Sequence, residues 1–280
     1  MQAALAVGRF GMNYRHIYHA GNFADVMKHA LLIKLIRAMQ RKDKPFLLLD
    51  THAGIGRYDV RSEQAEKTGE WRSGIGALLE SPPPALAEYV ALVKQLGLYP
   101  GSPAIAAALL RTEDRLVACE LHPEDSVLLR RNMRHANAAV HERDGYEALN
   151  AFLPPPEKRA LILIDPPFER TDEFLSAEKS LVTAWTKFPS GVFVTWYPIK
   201  HRAPVRAFFE ALKLSPLRDV IALEFLRRPD TNPLGLNGCG LLIINPPYGL
   251  EAEAAPILAA CETAFGEPGC ASMVERLIDE

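Results

Sequence analysis

Leu161–Phe168, LILIDPPF, holds the strongest structural signal in this chain. Four apolar residues of high strand propensity deliver Asp165 to what should be a strand's carboxyl end. Pro166 and Pro167 then force an extended backbone that cannot re-enter a sheet, and Phe168 follows as an aromatic platform. Six further short apolar runs, each closed by a polar or turn residue, stand around it. They are Phe46–Asp50, Leu116–Glu120, Val140–Asp144, Val192–Tyr197, Val220–Leu226 and Cys239–Asn245. Helical periodicities separate most of them, the pattern of a parallel sheet covered on both faces. Only Arg227–Gly238, rich in Pro, Asn and Gly, divides the last two runs, so they should form a hairpin with one strand antiparallel.

Seven such strands with a terminal hairpin resemble the Rossmann-like class I methyltransferase fold; a nicotinamide dehydrogenase would more often carry six parallel strands. The expected architecture is therefore α/β, a mostly parallel seven-stranded sheet with one antiparallel strand. An amphipathic helix over about Asn22–Lys42 should precede the first strand. Between Gly56 and Leu116 lie roughly 60 residues, where one crossover helix with its loops needs about 20–25. The surplus is expected as a small helical insertion at about 58–101, with helices near Glu63–Glu80 and Leu86–Leu96 split by Pro82–Pro84.

Composition excludes several classes. The 280 residues are 48% hydrophobic and 24% charged, with 32 basic against 34 acidic side chains. This is neither a disordered nor a collagen-like chain, and a net charge of −2 leaves any polyanion site to local patches. Four cysteines without C-x-x-C spacing and eight scattered histidines offer no metal motif; Cys119 and Cys239 read as core filler. No apolar run approaches the roughly 18 residues that span a bilayer, and the N-terminus lacks a signal-peptide pattern, so the cytoplasm is the expected compartment.

The first strand runs into Asp50-Thr51-His52-Ala53-Gly54-Ile55-Gly56, where glycines let the backbone turn tightly near a ligand. Glu120 ends the second strand, where a carboxylate can hold two ribose hydroxyls. Asp144-Gly145 ends the third, where a carboxylate can accept from an adenine amine. Each acid alone could be a solvated strand cap; together they converge on one crevice. Asp-Pro-Pro followed by an aromatic resembles the signature of methyltransferases acting on exocyclic amines. A carboxylate and a backbone carbonyl can accept the amine's N–H bonds and favour a tetrahedral nitrogen, while the aromatic stacks on an extruded base. Leu241–Tyr248 contains a competing Asn245-Pro246-Pro247-Tyr248. Too little chain follows it for three more strands, so Asn245 is expected to end the last strand and to be structural.

Asn13-Tyr14-Arg15-His16, His19-Ala20-Gly21-Asn22, Ala24-Asp25-Val26, Lys28-His29, Asp50–Tyr58, Tyr99–Pro103, Glu120–Pro123 and Asp165-Pro166-Pro167 occur in fixed order. In this the chain resembles the bacterial 23S ribosomal RNA adenine-N6-methyltransferase J family from about Met12 to its end. The resemblance implies S-adenosylmethionine as cofactor, a single adenine of 23S ribosomal RNA as target and a small inserted subdomain. It implies cofactor contacts from His29, His52, Ser102, Glu120, Asp144, Gly145 and Asp165. It further implies that Asp165, with Pro166 and Phe168, forms the catalytic motif and that Tyr14 meets the RNA. Phe168 stands where that signature usually has tyrosine, which keeps stacking and loses a hydroxyl. Residues 1–11 precede the family's usual start, leaving 12–280 as the methyltransferase domain.

Without the resemblance, His29 would read as a satisfied helix histidine and Tyr14 as an ordinary terminal aromatic. Arg130, Arg131 and Arg134, and Lys200, His201, Arg202 and Arg206, are candidate phosphate contacts, although such clusters are usually solvated faces. A monomer without metal or membrane association is expected, acting on protein-free or early-assembly RNA. Two other functions fit less well: a DNA adenine-N6 methyltransferase, for which a large recognition domain is missing, and a catalytically idle RNA-binding protein of the same fold.

Overall fold

A computed structural model describes residues 15–280; the extension 1–11, Met12 and the expected RNA contact Tyr14 lie outside the described residues. The chain runs through α1 (Phe23–Gln40), β1 (Leu47–Asp50), β2 (Arg57–Tyr58), α2 (Glu63–Thr68), α3 (Ala87–Leu96), β3 (Tyr99–Pro100) and α4 (Ser102–Leu109). Next come β4 (Arg115–Glu120), α5 (Pro123–Asn132), β5 (Ala138–Glu142), α6 (Gly145–Phe152), β6 (Ala160–Ile164) and α7 (Glu173–Lys187). The remainder is β7 (Val192–Ile199), α8 (Arg202–Lys213), β8 (Val220–Leu226), β9 (Gly238–Ile244), α9 (Leu250–Phe265) and β10 (Ala271–Ile278).

One eight-stranded sheet has the order β10-β8-β9-β7-β6-β1-β4-β5. β1, β4, β5, β6 and β7 pair in parallel, while β9 is antiparallel to β7 and β8, and β10 to β8. This corrects the expectation of seven strands with one antiparallel. The hairpin of β8 and β9 is present, but Asn245 does not end the last strand: α9 and β10 follow it. β10 escaped notice because it is an edge strand with only Leu277 buried, held in part by Arg276 to Asp219 (2.6 Å) and Glu251 (2.8 Å).

Strand side chains alternate between two cores. Leu48, Ala118, Leu161, Leu163 and Val194 pack under α1, α4 and α9. Leu47, Leu49, Val117, Ile162 and Phe193 pack under α6, α7 and α8. Cys119 and Cys239 are fully buried. α1 is capped by Asn22, whose side chain accepts from the Asp25 amide at 3.0 Å. It is not half polar, as an amphipathic surface helix would be. Only Lys34, Arg37 and Gln40 form a narrow stripe, and the rest is buried, including the charged Asp25 and Lys28. Burying charges in a helix interior demands specific partners.

Between β1 and β4 the chain leaves the sheet, and the β2–β3 ribbon closes the neck of the excursion. α2 is shorter than the sequence suggested: Gly69 takes a left-handed φ of +62° and ends it, and two 3-10 turns follow. Gly74 there packs so tightly on α1's N-terminus that a Cβ would lie 2.0 Å from the Gly21 carbonyl. Among the described residues no helix is long and apolar enough to cross a membrane.

Candidate active site

Because β1, β4, β5 and β6 are parallel, their carboxyl ends share one edge, and Asp50, Glu120, Asp144 and Asp165 arrive there together. Glu120, Asp144 and Asp165 border a cleft of about 1900 Å³, whose lining also includes His29, His52, Ser102, Gly145, Pro166 and Phe168. Every described residue expected at the site except Asp50, which lies beneath the cleft wall, therefore lines a single cavity. Asn245 does not. β9 runs the other way, so Asn245 sits at the opposite edge, with its amide donating to the carbonyls of Pro189 (2.7 Å) and Gly191 (2.6 Å).

On one side of the cleft, Glu120 organises the glycine turn. Its Oε2 accepts from the Gly54 amide at 2.9 Å and its Oε1 from the His122 amide at 2.8 Å. Each oxygen retains a lone pair for a further donor. Burial pushes the Glu120 carboxyl above its usual range. Asp144 caps α6, its Oδ1 accepting from the amides of Tyr146 (2.9 Å) and Glu147 (3.0 Å). Gly145 is required by the protein itself: a Cβ would lie 2.5 Å from both the His52 ring and the Thr51 carbonyl. Clearance between two loops, not only room for a ligand, accounts for that glycine.

His52 donates or accepts at Nδ1 to the Thr51 hydroxyl (2.8 Å), and burial depresses it to about 4, so it is neutral near pH 7. His29 is likewise depressed to about 3 by burial, and its Nδ1 meets the Tyr99 hydroxyl at 3.0 Å. It is a satisfied core histidine with an edge on the cleft. Ser102 opens α4, 6% exposed. Asp50 is the outlier. It is wholly buried and neither oxygen makes a hydrogen bond of ordinary geometry, although the nearby Ser102 hydroxyl moderates its charge. Burial raises it to about 7.

The floor holds a feature the sequence did not disclose. Lys28 Nζ lies 2.6 Å from Asp165 Oδ2 and 2.8 Å from Asp25 Oδ1, and 5.8 Å over the Trp196 ring. Asp25 in turn meets His16 Nε2 (2.9 Å) and the Gly21 amide (2.9 Å). Burial opposes the Lys28 charge, but Asp165 and Asp25 more than offset it and hold the ammonium protonated. Asp25 is likewise kept well below the usual carboxylate range, its burial overcome by His16 and Lys28. Lys28 and Asp25 were legible only as charges three apart inside an apolar helix, a pattern that should prompt a search for distant partners. Phe168 adopts φ +50° and packs its ring against Phe174 (4.8 Å) and Trp196 (5.8 Å), joining Trp196 to the cleft wall.

The basic clusters divide. Arg202 is committed to the buried Glu224 at 2.5 Å, Arg130 turns to Ser126 and Arg134, beyond the end of α5, to His135. Lys200 borders the cleft and has no ion pair among the described residues.

The family described as "Ribosomal RNA large subunit methyltransferase D, RlmJ" matches residues 43–277. A Haemophilus influenzae protein named Ribosomal RNA large subunit methyltransferase J is 39% identical over 257 residues, 88% of this chain and 92% of that one. Its Escherichia coli namesake is 40% identical over 256 residues, 88% and 91% of the two chains. A solved structure from Legionella pneumophila, 36% identical and covering 92% of this chain and 98% of that one, superposes with a TM-score of 0.85.

Proposed function

The chain belongs to the ribosomal RNA large subunit methyltransferase J family, and on that premise we propose that it transfers a methyl group from S-adenosylmethionine to the N6 amine of one adenine in 23S ribosomal RNA. The observation that carries the reading is Asp165: a carboxylate at a strand end, fixed by a buried lysine, in the same cleft as two other strand-end acids, Glu120 and Asp144.

The residues present suit the cofactor. Glu120 keeps two lone pairs aimed past the glycine turn, suited to vicinal ribose hydroxyls, and Asp144 Oδ2 remains open to an exocyclic amine. Gly54, at φ +58°, has no space for a Cβ, which would meet the Tyr58 hydroxyl at 2.2 Å, so this turn is glycine-dependent. His29, His52 and Ser102 complete that half of the wall. When bound, S-adenosylmethionine supplies an electrophilic methyl group.

Asp165 performs the orienting work. Lys28 engages its Oδ2, leaving Oδ1 to accept one N–H of the adenine amine, with the Pro166 carbonyl available for the other. Two acceptors draw the nitrogen away from planarity, so its lone pair turns towards the methyl carbon; the proton made surplus by the new N–C bond is held against the carboxylate until it passes to solvent. Proline at 166 and 167 removes backbone donors that would compete for the same carboxylate. Phe168 and Trp196 offer apolar faces to the base. A ribosomal RNA substrate fits a cytoplasmic enzyme.

Protein-free large-subunit RNA incubated with the protein and methyl-labelled cofactor tests this. One labelled adenine, mapped to a single position, is expected; an unlabelled RNA with label in duplex DNA in a parallel reaction, or no label in either with cofactor still bound in calorimetry, favours the DNA enzyme or the idle binder instead.

A further inference from the structure

Tyr248, Leu234 and Leu214 are the most exposed large apolar side chains among the described residues, at 96%, 93% and 90%. Leu214 follows α8 and Tyr248 follows β9, both at the sheet edge remote from the cleft. Leu234 borders the cleft. It stands on the β8–β9 loop, and the sheet order puts that loop beyond Asp165, on the side away from Glu120 and Asp144.

The loop is braced. Asn237, wholly buried, donates from Nδ2 to the carbonyls of Lys200 (2.6 Å) and Asn232 (2.7 Å), and its Oδ1 accepts from Arg228 Nε at 2.9 Å. Asn232 Oδ1 then accepts from the Leu234 amide at 3.1 Å. A leucine held clear of the protein on a tied-down turn adds nothing to the core, and its exposure favours burial against a partner.

We propose that Leu234 is a wedge that enters the base stack of structured RNA and fills the gap left by the target adenine. The inference rests on the methyltransferase reading above and deepens it. Asp165 lies on the cleft floor, so an adenine still stacked in a helix cannot bring its amine there and must swing out. Apolar side chains such as leucine can insert between base steps and hold a stack open. Lys200, joined to the same loop through Asn237 and without an ion pair among the described residues, offers a positive charge to the flanking phosphate. Leu121 and Leu128, also exposed along the cleft, lie on the Glu120 side and are not placed to do this.

The test uses the full chain and an RNA hairpin carrying the mapped adenine in its native helix. A second hairpin lacks the base opposite, and a third has 2-aminopurine at the target. Leu234→Ala is expected to slow methylation of the intact hairpin by roughly tenfold, as loss of a buried leucine implies. The loss should shrink below about threefold on the relaxed hairpin, Leu234→Met should restore most of the rate, and the 2-aminopurine emission rise should fall by at least half. Equal loss on both hairpins, no loss at all, or an unchanged emission rise overturns the wedge while leaving the methyltransferase reading intact. A wild-type chain that methylates large-subunit RNA in no form overturns both.

Discussion

Lys28 Nζ lies 2.6 Å from Asp165 Oδ2, joining the second turn of α1 to the end of β6 across 137 positions of sequence. With Asp25 it forms a buried carboxylate–ammonium–carboxylate row in which the lysine side chain is only 5% exposed. The pairing fixes the rotamer of the carboxylate proposed to orient the substrate amine, and it ties that orientation to the fold.

Removing the lysine should therefore damage both. Lys28→Met leaves two carboxylates buried near one another without their shared cation, a defect of about 3–5 kcal/mol. Denaturant unfolding is expected to show a loss of that size, and methyl transfer should fall much further than the unfolded fraction explains. A variant as stable and active as wild type would show that the row is dispensable.

If Glu120 holds the ribose hydroxyls as proposed, Glu120→Ala removes a charge-assisted pair worth about 1.5–3 kcal/mol. Calorimetric titration with S-adenosylmethionine should register at least about tenfold weaker binding. Because Glu120 also anchors the Gly54 and His122 amides, Glu120→Gln is the control: it retains one acceptor oxygen and should lose less. Unchanged affinity in folded Glu120→Ala would remove the residue from the cofactor site.

Most of the sheet was legible because each buried strand is an apolar run halted by a polar residue, as in Leu161–Asp165. Legibility declined towards the edges. In β5 Val140 is the only large apolar residue, and the strand begins two residues before the run suggested, while β10 alternates Val274 and Arg276 with half-exposed partners and passed for a tail. The two-residue strands Arg57–Tyr58 and Tyr99–Pro100 are too short for any periodicity. At the site, acids at strand ends could be read one by one, since strand polarity alone sends them to one edge. Lys28 could not, because its partner is set by the packing of α1 on the sheet. Trp196 read only as strand core, though the packing turns its ring to the cleft.

Asp50 should leave a mark on the pH dependence of stability. Its carboxyl, raised to about 7 by burial, binds its proton more tightly in the native state than in the unfolded chain. Between about pH 4 and 7 the native protein thus holds one proton more than the unfolded chain, so this group's contribution falls as pH rises through that window and stays reduced above it. The full loss is of the order of 4 kcal/mol. Asp50→Asn carries no such charge and should gain stability over wild type at pH 8 but little at pH 4.5. His29 and His52, which titrate in the opposite sense, are common to both proteins and cancel in the difference. Parallel unfolding curves at the two pH values would reveal the window; a constant offset would mean that Asp50 is already charged or already partnered.

Asp165 and Asn245 each precede Pro-Pro and an aromatic, so substituting both separates chemistry from architecture. Asp165 faces the cleft, and on the proposed mechanism it is the acceptor that turns the amine lone pair towards the methyl group, so Asp165→Ala should abolish transfer. Loss of that carboxylate also leaves Lys28 with Asp25 alone, so a modest drop in melting temperature is expected and does not explain a dead enzyme. Asn245 donates to Pro189 and Gly191 at the far edge of the sheet, in a left-handed backbone at φ +54°. Asn245→Ala forfeits two hydrogen bonds of about 1 kcal/mol each and adds strain at that φ, so melting temperature should fall while the rate per folded molecule persists. Phe168→Ala should weaken substrate by the worth of one stacked base, about 1–3 kcal/mol, and slow the reaction chiefly below saturating RNA. Single-turnover rates at saturating RNA and cofactor, normalised to folded protein, distinguish the three. If Asn245→Ala is folded and inactive while Asp165→Ala still turns over, the chemistry lies at the other Pro-Pro motif and the cleft described here is not where the methyl group moves.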